Sequence, residues 1–296
     1  MSRRTVLAGA ALAGCGPTGM LALASCTADP AAQPSGPAST TVGPVPQRFS
    51  YGEDPAQFGE LTVPAGQAPS GVVVIIHGGF WQAVFDLDLG RPLAADLVSR
   101  GYAVWNLEYR RIGQGGGWPA TLADVAVGFD HLRELPGDLD VDRAVVIGHS
   151  AGGQLAAWLA GRSDLPSDAV GAQPRVQPVA VVAQAGVMDL VGAARDGVGG
   201  RAVADLLGGE PDAVPDRYAI ASPLDQVPVK VPVRCVHARA DGNVPYAQSE
   251  QYVRSAKAAG ADAELVTVPG NHFTLIDPST PDWQAVVKLL PGLLGR

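Results

Sequence analysis

The sequence is short of cysteine and of positive charge, and each shortage excludes something. Cysteine occurs three times in 296 residues, as Cys15, Cys26 and Cys235. Two of the three fall in the N-terminal stretch, so a domain beyond it keeps Cys235 alone, and one cysteine cannot form an intradomain disulfide. Cys235 lies in a strand-like run and reads as a small buried hydrophobe. Lys and Arg number 21 against 29 Asp and Glu, a formal net charge of −8. No dense basic stripe appears, which argues against nucleic acid as a partner. No internal repeat is visible either. What is plentiful is apolar material, 47% of the chain against 17% charged. That composition supports a globular domain with a sizeable core.

The N-terminus reads as an address. Arg3 and Arg4 precede residues 5–25, which carry no charge, and the pair resembles a bacterial Tat export signal. Gly, Pro17 and small residues make the stretch a signal h-region rather than a membrane span. It ends in Leu23-Ala24-Ser25-Cys26, similar to a lipobox, so Cys26 is the expected lipidation site. Leu12-Ala13-Gly14-Cys15 also fits the pattern, but leaves an h-region of about eight residues. A plain secretory signal cleaved near Ser25 is the alternative. Residues 27–46 are rich in Pro, Ala, Ser and Thr and cannot build a core; they read as a flexible linker. The expected organisation is a leader over 1–26, the linker, and one catalytic domain over 47–296. The expected location is outside the cytoplasm, held to the membrane by lipid or secreted.

From residue 47 the pattern alternates between strand and helix. Val72-Val73-Val74-Ile75-Ile76 is a continuous β-branched run, expected of a strand buried on both faces. Further strands are expected at Phe58–Val63 (an edge strand), Tyr102–Leu107, Ala144–Ile147, Val179–Ala183, Val231–His237 and Ala263–Val268. Helices are expected at Leu87–Arg100, Leu122–Leu135, Ala151–Ala160, Tyr246–Ala259 and Trp283–Leu290. This alternation implies an α/β fold, a mostly parallel central sheet with helices on both faces. Residues 187–228, rich in Gly, Asp and Pro, break the rhythm and are expected to form a small cap segment.

The chemistry concentrates at strand ends. Val145-Val146-Ile147-Gly148-His149-Ser150-Ala151-Gly152 joins a strand to a helix through G-x-S-x-G, the sequence form of a nucleophile elbow, with Ser150 as the nucleophile. A serine hydroxyl needs a base, and the base needs an orienting group. His272, past the last strand, is the candidate base. Asp241, past the preceding strand, is the candidate acid, and Asp189 is its rival. The order Ser150, Asp241, His272 suits a hydrolase on an open α/β sheet. His77-Gly78-Gly79-Phe80-Trp81 follows the most apolar strand and can supply oxyanion-hole N–H groups from Gly79 and Phe80, beside that of Ala151. Trp81 is read either as a wall of the substrate pocket or as packing beneath the loop.

These motifs resemble the α/β-hydrolase superfamily, in its esterase branch with hormone-sensitive-lipase-like features. The resemblance covers about residues 70–290 and rests on His77 to Trp81, Gly148 to Gly153, Asp241 to Pro245 and Asn271 to Phe273, with echoes at Tyr109-Arg110, Pro119 and Asp124. Phe80 replaces the third glycine of the lipase His-Gly-Gly-Gly loop, and His-Gly-Gly-aromatic-Trp is similar to the kynurenine formamidases. The resemblance implies a carboxylesterase-type serine hydrolase that uses no metal or organic cofactor. Its substrate is a small ester, or an amide in the alternative formamidase reading. A catalytically dead binding protein on the same fold is the other alternative.

Overall fold

A computed structural model describes residues 44–66 and 68–295. The leader, Cys15, Cys26 and most of the linker lie outside the described residues. Eight strands form one sheet among the described residues: β1 (Gln47–Ser50), β2 (Phe58–Thr62), β3 (Val72–Ile76), β4 (Ala103–Leu107), β5 (Ala144–His149), β6 (Ala180–Gln184), β7 (Val233–Ala238) and β8 (Ala263–Val268). Their spatial order is β1-β2-β4-β3-β5-β6-β7-β8. β1 pairs antiparallel with β2 and β2 with β4, and every later pairing is parallel. The helices are α1 (Arg91–Ser99), α2 (Ala120–Asp130), α3 (Ala151–Gly161), α4 (Leu190–Arg195), α5 (Ala202–Leu207), α6 (Pro215–Ala221), α7 (Ala247–Ala258) and α8 (Pro281–Leu293).

The period-2 geometry of a strand sends alternate side chains to opposite faces. Val72, Val74 and Ile76 of β3 join one core with residues of α2, α3, α5 and α7. Val73 and Ile75 join the other with α1 and α8, around Leu97, Trp283 and Leu290. Every residue of β3, β4, β5 and β6 is buried, which explains their largely apolar sequences, unbroken in β3.

Two expectations change. Phe58–Thr62 is not the edge strand, because β1 lies outside it. The helix expected over Leu87–Arg100 is split by Gly90 into a 3-10 turn and α1. A Cβ at Gly90 would come 2.3 Å from Asn106 Oδ1, so the chain passes too close to β4 for a side chain there. Residues 187–228 hold three short helices, α4 to α6. α6 packs beside α3, where Trp158 and Gln154 donate to the Ile220 and Ala221 carbonyls. No helix among the described residues is long and apolar enough to cross a membrane.

Candidate active site

β5 delivers Ser150 at φ 56° and ψ −117°, a conformation that costs a non-glycine residue free energy and is held by its surroundings. Those surroundings are close. The Ser150 N–H donates to the Gln184 carbonyl at 2.8 Å. A Cβ on Gly148 would lie 2.0 Å from the Gly152 carbonyl oxygen, and one on Gly152 would lie 2.1 Å from that of Ile76. Both positions therefore need glycine for close approach. Ser150 is nearly buried and lines a small cleft with Gly79, Phe80, Phe85, His272 and Phe273.

His272 reaches the cleft on the turn after β8. Its Nδ1 lies 2.7 Å from Asp241 Oδ2. The Asp241 carboxylate is fully buried, and its Oδ1 accepts the N–H groups of Asn243 and Val244 at 2.8 and 2.9 Å. Burial alone would favour the neutral acid. The His237 and His272 rings and these two amides outweigh it and hold the carboxyl well below the usual carboxylate range. Asp241 is thus an anion at neutral pH, suited to hold a neighbouring imidazole in one tautomer. Ser150 and His272 share the cleft with no direct hydrogen bond among the described contacts; such bonds are often loose before substrate binds. The rival acid, Asp189, is engaged elsewhere. It caps α4 by accepting the Gly192 N–H at 2.9 Å and lies 3.4 Å from Gln251 Nε2.

The loop after β3 runs beside the serine. A Cβ on Gly78 would come 3.1 Å from Ser150 Cβ and 2.7 Å from the His149 carbonyl oxygen. Gly79, Phe80 and Trp81 all adopt positive φ, at 108°, 50° and 56°. Among the described residues, no acceptor takes the backbone N–H of Gly79, Phe80 or Ala151. Unpaired amides close to a serine are the elements of an anion site. Trp81 is not in the cleft. It is fully buried, and its Nε1 donates to Gln154 Oε1 of α3 at 3.0 Å. Its left-handed backbone turns the indole down into the core, so it anchors the loop and does not wall the pocket.

Several groups that frame the site carry no clear sequence signal. His149 Nε2 meets the His272 carbonyl oxygen at 2.9 Å, and Gln184 Nε2 donates to the Leu275 carbonyl at 2.7 Å. These two buried side chains, from neighbouring strands, tie down the turn that carries His272. Burial, reinforced by the His272 ring beside it, pushes His149 down to about 3, so it is a neutral donor. His237, fully buried, sits 3.2 Å from Asp241 Oδ2, with Nδ1 2.8 Å from Ser249 Oγ. The position of His149 inside G-x-S-x-G was visible in the sequence, but its partner 123 residues away was not. No cluster of His, Cys, Asp and Glu among the described residues has the arrangement of a metal site.

Comparison with known proteins places this geometry in context. No curated protein matches the sequence. Solved structures do. A truncated carbohydrate esterase from gut microbiota superposes with a TM-score of 0.73 at 22% identity, over 88% of this chain and 100% of that one. Esterase B from Lactobacillus rhamnosis gives 0.71 at 22%, over 84% and 85%. The thermophilic esterase Est2 from the planctomycete Thermogutta terrifontis gives 0.65 at 24%, over 84% and 91%. At these identities the likeness establishes the shared α/β-hydrolase fold. The BD-FAE family model matches residues 61–255, from β2 through most of α7, and with this coverage the chain belongs to the BD-FAE family of α/β-hydrolase-type esterases.

Proposed function

We propose that this protein hydrolyses carboxylic esters through an acyl-enzyme on Ser150. The observation that carries the reading is the 2.7 Å contact between Asp241 and His272, at a cleft shared with a strained, nearly buried serine. Ser150 Oγ attacks the ester carbonyl and its proton passes to His272. Asp241 keeps Nδ1 protonated, leaving Nε2 to act as the base, and stabilises the imidazolium. The N–H groups of Ala151, Gly79 and Phe80 stabilise the oxyanion, each donor contributing about 3 kcal/mol by analogy with measured oxyanion-hole losses. The tetrahedral intermediate collapses, and the alcohol leaves with the proton from His272. Water, deprotonated by His272, then releases the carboxylic acid and restores the serine. In the second half the proton taken from water passes from His272 back to Ser150 Oγ.

Ester chemistry also draws support from the solved relatives, whose descriptions include a carbohydrate esterase, a butyrate-bound esterase and an esterase inhibited by a tributyrin phosphonate. The burial of Trp81 removes one reason for favouring aryl formamides. The test is turnover of short p-nitrophenyl esters together with labelling by a fluorophosphonate probe. Wild-type protein should do both, and Ser150→Ala should lose labelling and at least about 10⁴-fold in kcat. Turnover retained by the alanine variant would refute the assignment.

A further inference from the structure

His237 is the penultimate residue of β7 and takes no part in the ester cycle. Its ring is fully buried, and both nitrogens are engaged. Nδ1 lies 2.8 Å from Ser249 Oγ of α7. Nε2 lies near two acceptors, the Val244 carbonyl at 3.1 Å and Asp241 Oδ2 at 3.2 Å. A carbonyl and an ionised carboxylate bring no hydrogen, so Nε2 carries one. From this geometry we infer that His237 is a positioning residue for Asp241: it clamps the turn from Asp241 to Val244 onto β7 and shares the Asp241 carboxylate with His272. The inference rests on the esterase reading and adds a residue to the same site.

Asp241 stands on a turn past the end of β7, whereas β7 itself is fixed between β6 and β8. Groups on strands are held more closely than groups on loops, and a loop group gains precision from a strand that grips it. Asp241 Oδ1 accepts the N–H groups of Asn243 and Val244, so the carboxylate and its turn form one unit. His237 meets that unit at two points, the Val244 carbonyl and Oδ2. Oδ2 is also the atom that His272 Nδ1 meets, at 2.7 Å. A displacement of this one oxygen therefore reaches the base directly.

The same contact bears on charge. Burial raises the Asp241 carboxyl, and the His237 ring leads the groups that bring it down, ahead of the His272 ring and the two amides. The competing account is purely structural. Ser249 is itself fully buried, and through it Nδ1 ties β7 to α7. The Tyr246 ring packs on the same imidazole with centroids 5.5 Å apart. The two accounts use different nitrogens, which makes them separable. A glutamine places its amide nitrogen near the site of Nε2, and an asparagine places its amide near the site of Nδ1.

The experiment compares wild type with His237→Asn, His237→Gln and Ser249→Ala. It reads kcat and KM on p-nitrophenyl acetate, the urea midpoint, and the low-field proton NMR signal of His272 Nδ1–H, identified by its loss in His272→Gln. His237→Asn should lose about tenfold in kcat, the worth of one hydrogen bond to a charged group, with KM within about threefold, and the His272 signal should move. His237→Gln should recover most of that loss and keep the signal in place. Ser249→Ala should lower the urea midpoint and leave kcat and the signal as in wild type. A folded His237→Asn with wild-type kcat and signal, or equal losses in the asparagine and glutamine variants, overturns the inference and leaves the esterase reading intact. If His237→Asn does not fold, ¹⁵N NMR of the wild-type ring decides, and an Nε2 without hydrogen overturns the inference. Wild-type protein that neither labels with fluorophosphonate nor turns over ester overturns the esterase reading; the His272 signal needs no substrate and still decides whether His237 holds Asp241.

Discussion

Two buried carboxylates stand at the carboxyl edge of the sheet, Glu108 beside His77 and Asp241 beside His237 and His272, and of these histidines His272 lines the cleft. His77, after β3, meets Glu108 at 3.0 Å through Nε2 and the Gly78 carbonyl at 2.8 Å through Nδ1. Its ring stacks on Tyr109 with centroids 4.4 Å apart, and both ring nitrogens are committed. Glu108 is committed too, to His77, Arg111 and the amides of Leu87 and Tyr109. His272 holds Asp241 through Nδ1 alone, and its ring lines the cleft with Ser150. The pairs are chemically alike, but the first is a joint that fixes the loop after β3. The second leaves one nitrogen uncommitted, and an uncommitted nitrogen facing a cavity is what a proton carrier needs.

Substitutions at the two carboxylates should separate these roles. Asp241→Asn should lower kcat by about 10⁴-fold, because the amide favours the wrong imidazole tautomer; steady-state kinetics on p-nitrophenyl acetate read it. Glu108→Gln should act first on stability. It leaves Arg111 without its buried counter-charge, at a cost of about 3–5 kcal/mol, seen as a lower urea midpoint. If Glu108→Gln instead matched Asp241→Asn in kcat with an unchanged midpoint, the distinction between joint and proton carrier would fail.

A smaller effect concerns His149, which ties the two halves of the site together. Its folded pKa of about 3 lies below the unfolded value of about 6.5. Between those values the unfolded chain binds a proton that the native state refuses, so stability falls as pH drops through that window. Asp241 acts in the same direction but lower, because its depressed value matters only below about pH 3.9. His149→Gln should therefore flatten the dependence of the urea midpoint on pH between about 6 and 4. An unchanged slope there would mean that other groups govern acid sensitivity.

Much of this molecule is legible in one dimension where the determinants are local. The β-branched run of β3 and the last strand, β8, appear with the bounds expected of them. The elbow is legible because a sharp strand-to-helix turn demands small residues beside the serine, and Gly148 and Gly152 meet that demand within four residues of chain. β1 is not legible. Gln-Arg-Phe-Ser is short and polar, and its strand character comes from pairing with β2. The short helices α4 to α6, six or seven residues each, are too brief for a period to show.

By itself the sequence determined the alternation of strands and helices, the elbow, and the chain order of Ser150, Asp241 and His272, all of which rest on local pattern and turn chemistry. Tertiary structure decided which groups meet. It set Asp241 rather than Asp189 against His272. It sent Trp81 into the core and Phe85 to the cleft, and it committed both nitrogens of His77 while among the described contacts His272 bonds through Nδ1 alone. Contacts across 31 to 123 residues of chain depend on how β3 to β8 lie side by side, and no local pattern encodes that registration.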